Sequence, residues 1–399
     1  MNHNMTRIGL YIERFGTSLA MGIFFVLPLH FKSLGWDETF FGQVYAVGAI
    51  GTIFTIVLSA KLIRQFGFGK VAPLGSLLYT IGCLLYFIFD RSHNIYGYYL
   101  ASLLQGAGWG LTFTVGPIGI ASTLSEQDDT NRAYYFILHS AYTALGAGVA
   151  SVVIRLFTDY LGLKVEHLFI LATLSTAMSY LVSARVAWKN EAYKKVQVSD
   201  LSVGSELLSV LRQPSIYFFA MIFFGACIYT AVITLQMTFA ALKQIDYIVF
   251  YGFYSLAIVL ARFIFSKTLS KIAVEKSLPF LILLLTIGVG FLFLAVYSPI
   301  FYALSASLLG AGYGLAYSLV QGEAVRYAQP ILRPAVLVYF SLCYFLGVYL
   351  FPYFAALIAT KFSYETLWFA LILIGLLYFS VAVYFYKVVR KNLELTRSI

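Results

Sequence analysis

The stretch Gly106-Ala107-Gly108-Trp109-Gly110-Leu111 returns as Gly310-Ala311-Gly312-Tyr313-Gly314-Leu315, 204 residues further along a chain of 399. Two other passages repeat at nearly the same interval. Leu77-Leu78-Tyr79-Thr80-Ile81-Gly82 returns as Leu283-Leu284-Leu285-Thr286-Ile287-Gly288, 206 residues on, and Arg132, Ser140, Leu145 and Gly146 return as Arg333, Ser341, Leu346 and Gly347, 201 residues on. In a chain rich in Leu and Gly one such match is weak, but three in the same order at nearly the same offset mark a duplication. An internal repeat decides an architecture before any single motif does.

The solvent of the duplicated unit follows from composition. Hydrophobic residues make up 61% of the chain, aromatic residues 18% and charged residues 11%, with a mean hydropathy of +0.85. Ordinary soluble domains have roughly 45–50% apolar and about 25% charged residues. The chain is therefore read as an all-α integral membrane protein, which excludes a disordered, secreted or nucleic-acid-binding protein. Cys83, Cys227 and Cys343 stand alone in apolar runs, so no disulfide framework, metal site or cofactor is expected. The first apolar run, Phe15–Phe31, is too long for a signal h-region and is read as a retained span.

A hydrocarbon core of about 30 Å needs roughly 20 helical residues. Twelve such runs can be drawn, at 9–31, 40–60, 71–89, 97–120, 133–156, 167–188, 216–239, 247–266, 277–297, 300–322, 334–358 and 365–387. With alternating spans, 21 of the 27 Lys and Arg residues fall on the side of the N-terminus and 6 on the other. Cytoplasmic loops carry the excess of Lys and Arg, so both termini are expected in the cytoplasm and the chain in the cytoplasmic (inner) membrane. The long connection at 189–215 is basic at Lys189, Lys194 and Lys195. It continues into a short amphipathic stretch headed by Ser205, Glu206–Arg212, that Pro214 stops. The expected organisation is a six-helix bundle over 1–188, a cytoplasmic linker over 189–215 and a second six-helix bundle over 216–399.

In lipid, helices associate through packing rather than water exclusion, and small residues let backbones approach closely. Gly106, Gly108 and Gly110, with Gly310, Gly312 and Gly314, are read as such a seam, one that also lets a helix bend or slide. Leu at Gly108 or Gly312 is expected to do more damage than Leu at Gly75, near a span end.

These residues resemble the major facilitator superfamily of secondary transporters over nearly the whole chain. Pro28-Leu29, Ser33-Leu34-Gly35 and Gly42 resemble the family's pattern at the outer end of spans 1 and 2. Leu62, Gly67 and Lys70 resemble its loop 2–3 motif, with Arg64 where an Asp is usual and Phe68-Gly69 where the basic pair is usual. Gln105-Gly106 matches the tail of the span 4 motif, whose Arg is here Ser102. The span 5 antiporter pattern is missing beyond Gly146 and Gly148, and Arg262 resembles the Arg frequent before loop 8–9. The resemblance implies two pseudo-symmetric bundles of six helices that expose a site to one side at a time.

Ionisable side chains inside a membrane are costly and are functional candidates by default. Glu13 and Arg14 are placed about one turn into span 1, where they either snorkel to the interface or face inward. An inward Glu13 is a carboxylate that burial makes costly to charge, suited to carrying a proton or binding an ammonium group. His139, in span 5, is either a hydrogen-bonded core residue or a second proton carrier. Arg14, Arg64 and Arg262 are gating candidates, with Arg262 bracing an inner gate by capping carbonyls or pairing across the bundle. Glu323 and Arg326, three apart on one helix face, can pair there. Gln105, Gln236 and Gln321, with Trp109, Tyr229 and Tyr313, are candidates to line an aromatic, largely neutral cavity.

Together with 31 Tyr and 36 Phe, such a cavity suits a moderately amphipathic organic solute better than phosphate or a small inorganic ion. The expectation is a monomeric secondary active transporter in the lipid bilayer, coupled to protons, exporting a metabolite, sugar-like solute or drug. Uptake of a nutrient, transport of a metallophore such as a siderophore, and a non-transporting receptor of the same fold stay open. No Walker sequence points to ATP hydrolysis, no TVGYG or NPA pair points to a channel, and no GxSxG or HExxH points to an enzyme.

Overall fold

A computed structural model describes residues 3–36, 38–124, 132–189, 203–269 and 272–391, among which there is helix but no strand. Span 1 comprises α1 (His3–Ile23) and α2 (Leu27–Ser33), parted by a short 3₁₀ segment, Phe24–Val26. The next spans are α3 (Glu38–Phe66), α4 (Phe68–Ser92), α5 (Ile95–Ser122), α6 (Arg132–Arg155) and α7 (Val165–Lys189). After α8 (Val203–Leu211) come α9 (Ser215–Lys243), α10 (Tyr247–Leu269), α11 (Val274–Phe291), α12 (Pro299–Arg326), α13 (Arg333–Lys361) and α14 (Tyr364–Tyr384). Of the expected linker, residues 190–202, with Lys194 and Lys195, lie outside the described residues. The amphipathic stretch forms α8, which already includes Val203 and Gly204 ahead of Ser205.

Nine segments among the described residues are long and apolar enough to cross a membrane, and Val249–Phe265 is a shorter apolar helix. The two other expected spans are helical as well. The α1 segment carries Arg7, Glu13 and Arg14, and the glycines and Gln105 of α5 dilute its apolar character. Gly67 is the whole connection between α3 and α4, and its φ of 82° is one that a residue with a side chain rarely adopts.

Contacts group residues 1–126 and 142–200 into one compact unit, and 127–141 and 201–399 into another. The start of α6 thus groups with the second unit rather than with the rest of its own helix. In the first unit α5 packs on α3 and α4, α4 on α7, and α7 on α1. In the second, α12 packs on α10 and α11, α11 on α14, and α14 on α9. Shifted by the repeat interval, these four pairings of one unit match four of the other, so the duplication read in the sequence reappears in the packing, while α9 of the second unit packs closely on α13 as well.

The glycine stripes lie at the centre of each scheme. A Cβ on Gly106 would strike the backbone of Gly48 in α3, and one on Gly110 would come within 2.5 Å of the Thr52 carbonyl of the same helix. Gly108 turns the other way, onto the backbone of Gly75 and Tyr79 in α4. In α12, Gly310 and Gly314 face Tyr254 and Ile258 of α10, while Gly312 faces Leu281 and Leu285 of α11. Residues four apart share a helix face and the one between them points away, so each stripe seats two neighbours at once. The repeat extends to Gly146, which meets α1 at Phe15, and Gly347, which meets α9 at Phe223 and Ala226.

Gly75 departs from expectation: although near a helix end, it packs as tightly as the stripe, its Cβ position being 2.6 Å from the Thr112 hydroxyl and 2.9 Å from the Thr112 amide nitrogen. Gly252 has nothing within 4 Å of its Cβ position. Overpacking a well-filled site costs about 1–3 kcal/mol and more where backbone must move. Leu at Gly75, Gly108 or Gly312 should therefore each lower the thermal midpoint of the purified protein, while Gly252→Leu leaves it in place. Equal tolerance at all four positions would contradict the seam.

Candidate functional site

In the first unit the ionisable residues of span 1 face inward, one of the two placements that the sequence left open. Because α1 begins by His3, Glu13 and Arg14 sit about three turns in, and they are 3% and 2% exposed, so neither snorkels. They point to different neighbours. Glu13 Oε1 accepts a hydrogen bond of 2.7 Å from the Ser76 hydroxyl on α4. Arg14 Nε donates to Thr143 Oγ1 on α6 at 2.9 Å, and its guanidinium lies 4.7 Å from the Trp109 ring centroid and 4.8 Å from that of Phe113. Stacking on two rings stabilises a cation that has left water, by up to about 2 kcal/mol per desolvated contact. Trp109 in turn meets Tyr79 edge-on at 6.0 Å, and the Gln105 Nε2 nearby is buried with no hydrogen-bond partner.

A second polar cluster in this unit carries no signal in the sequence beyond the presence of His30. Asp90 Oδ1, near the end of α4, receives the Tyr98 hydroxyl from α5 at 2.6 Å and pairs with His30 Nε2 from α2, also at 2.6 Å. Phe31, Trp36, Phe40 and Tyr98 pack edge-on around it.

In the second unit the organising group is Arg262, 4% exposed on α10. Its Nε donates to the Gly314 carbonyl at 2.8 Å and its Nη1 to the Ser140 carbonyl at the start of α6, whose hydroxyl meets that of Ser318. Tyr229, Tyr254, Tyr313 and Tyr317 lie in the surroundings of the guanidinium. Tyr229 and Tyr313 stack face to face, centroids 4.6 Å apart and planes within 3°. Tyr344 joins Tyr317 edge-on at 5.5 Å. The expected neutral, aromatic surround for Tyr229 and Tyr313 is thus aromatic but organised around a cation. Sequence reading did not single out Tyr254, Tyr317, Tyr344 or Ser318.

The other candidates spread through the units. Gln236 is fully buried beside Tyr302, and Gln321 is 1% exposed with its Nε2 unpaired. His139 is buried on the α6 segment that groups with the second unit, whereas Glu13 belongs to the first. Glu323 is bonded by Arg326 at 3.2 Å and by the Tyr386 hydroxyl at 3.2 Å. Arg64 lies partly buried in the last turn of α3. Among the described residues no cluster of three or more His, Cys, Asp and Glu side chains has a metal-binding arrangement.

Both acceptors of Arg262 are backbone carbonyls, which makes its role separable. Arg262→Met should destabilise the purified protein by about 1.5–3 kcal/mol for each charge-assisted bond lost. Ser140→Ala keeps the accepting carbonyl and should stay near the wild-type thermal midpoint. A large loss in Ser140→Ala with none in Arg262→Met would reverse this assignment.

Comparison with known proteins bears on the fold and the family. No curated protein sequence matches the chain. Among solved structures, the Escherichia coli fucose:proton symporter superposes with a TM-score of 0.78 at 13% identity, covering 96% of this chain and 98% of that one. A bacterial homologue of the iron transporter ferroportin, in an outward-facing state, gives 0.76 at 14% identity, covering 96% and 98%. The human organic anion transporter gives 0.74 at 13% identity, covering 96% and 100%. At such identities the likeness speaks for the fold. The sequence model of the Major Facilitator Superfamily matches residues 10–352, and with the duplicated packing scheme this establishes that the chain belongs to that superfamily of membrane transporters.

Proposed function

We propose that this transporter moves a moderately amphipathic organic solute across the cytoplasmic membrane, driven by protons, with export the favoured direction and both termini in the cytoplasm. The observation that carries the solute class is the tyrosine cluster of the second unit. A stacked pair of rings offers apolar faces, and the buried Tyr254 hydroxyl has no hydrogen-bond partner in the protein. A buried polar group left unpaired is destabilising, so such a group beside rings favours a solute that is part ring or chain and part hydrogen-bonding group. Arg262 supplies positive charge beside them, which suits a solute with an electron-rich or acidic end. In this reading substrate is exposed to each side in turn as two homologous six-helix lobes rearrange.

Glu13 is the proposed proton carrier. It is buried, it accepts only a neutral hydroxyl in the Ser76 bond, and Arg14 is turned towards Thr143 and the aromatic rings. His139 is the second candidate. The protein is treated as a monomer needing no cofactor.

A screen of organic solutes by thermal stabilisation of the purified protein should yield amphipathic hits whose effect falls at least about tenfold in apparent affinity in Tyr313→Ala, the loss of one good aromatic contact and its neighbours being worth about 1.4 kcal/mol or more. With such a solute in proteoliposomes, Glu13→Gln should abolish accumulation driven by a proton gradient but preserve solute exchange at equilibrium. Equal loss of both activities in a folded Glu13→Gln protein would remove the coupling role.

A further inference from the structure

Beside Glu13 lies a small pocket whose lining belongs to the first unit: Leu10 and Glu13 of α1, Ala72 of α4, Thr112, Val115 and Gly116 of α5, and Ser183 of α7. It offers about 10 Å³ to the centre of a water molecule, close to the volume of a single water site. Its walls are not uniformly apolar. Thr112 is 1% exposed and its hydroxyl finds no hydrogen-bond partner in the protein, Ser183 is 4% exposed, and Glu13 keeps Oε2 beyond the oxygen that Ser76 holds. A buried water needs two to four polar partners and room for one probe sphere, and an apolar cavity of this size stays dry. Here the polar partners are present.

We infer that Glu13, Thr112 and Ser183 bind one water molecule and that this water relays protons between Glu13 and the side of the membrane on which the chain begins. This rests on the reading of Glu13 as a proton carrier and adds its route. Leu10 lies seven residues after the start of α1, Ala72 four after the start of α4, and Ser183 six before the end of α7. At 1.5 Å per residue the cavity therefore lies about 6–11 Å from those helix ends, which in an alternating bundle share one face, the expected cytoplasmic one. In the relay a proton arriving at the water passes to a Glu13 carboxylate oxygen and forms an O–H bond there, while the water returns to neutrality. The reverse step releases the proton to the same side. Arg14 is the charged group whose field reaches Glu13, and none from α4, α5 or α7 joins it. The Ser76 bond joins α1 to α4 across this site, so loading and unloading the carboxyl changes helix packing inside one unit and needs no contact with solute.

Infrared difference spectroscopy of the purified full-length protein, titrated in pH without any solute, tests this. A protonated-carboxyl C=O band should titrate in wild type and be lost in Glu13→Gln. Oxygen-18 water should shift a discrete O–H stretching band, and that band should be lost in Thr112→Val, with the Glu13 band moved to higher frequency as one hydrogen bond disappears. Thr112→Ser, which restores the hydroxyl, should recover both, and Ser183→Ala should weaken the water band. If the Glu13 band titrates normally in Thr112→Val and no oxygen-18-sensitive band is lost, the water relay is wrong and Glu13 remains a proton carrier. If no Glu13-dependent band titrates at all, the proton-carrier reading falls and the relay with it.

Discussion

The close approach of backbones along α5 and α12 is the constraint on which the rest of the structure depends. In hydrocarbon there is no water to drive helices together, so association rests on packing and hydrogen bonding. Each of these two helices seats a neighbour on both sides, through glycines that alternate between them. The approach is also what brings hydroxyls within reach of facing carbonyls. Thr52 bonds the Gly106 carbonyl at 2.9 Å, Thr55 the Ala107 carbonyl at 2.9 Å, and Ser305 the Gly288 carbonyl at 2.7 Å. Close packing and interhelical hydrogen bonding are thus one arrangement seen from two sides.

Within that frame, buried charge is held in three different ways. Arg14 is stacked on rings, Arg262 is bonded to backbone carbonyls, and Asp90 is bonded by a histidine and a tyrosine. In each case the desolvation cost of the ion is offset by groups fixed on other helices. Glu13 differs from these three in that its hydrogen bond comes from a neutral hydroxyl, Ser76.

Much of the fold was legible in the sequence, since it is written in local patterns: apolar run length, the placement of Lys and Arg, and the repeat at Gly106 and Gly310. Gly67 was legible too, as part of a loop motif, and its positive φ explains the residue type. Less of the site could be read. Ser76 lies 63 residues from Glu13, and Ser140 lies 122 from Arg262, so neither pairing leaves any periodicity behind. Neutral hydroxyls are common in spans and serve as helix glue, so nothing distinguishes Ser76 or Thr112 before the helices are assembled. Tyr254 and Tyr317 were hidden for a similar reason, among 31 tyrosines of which only a few share a face with Arg262. Whether Glu13 faces inward was left open because position along a span does not fix which side a residue buries, and Gly75 was misjudged because nearness to a helix end does not mean looseness.

The 3₁₀ turn at Phe24–Val26 divides span 1 into segments with different attachments. Below it, α1 carries Glu13 and is tied to α4 through Ser76; above it, α2 is tied to the same helix through His30 and Asp90. The span is thus held to one neighbour on both sides of its change in helical pitch. Any rearrangement of span 1 against α4 must therefore break or carry along two polar clips at different heights, not one.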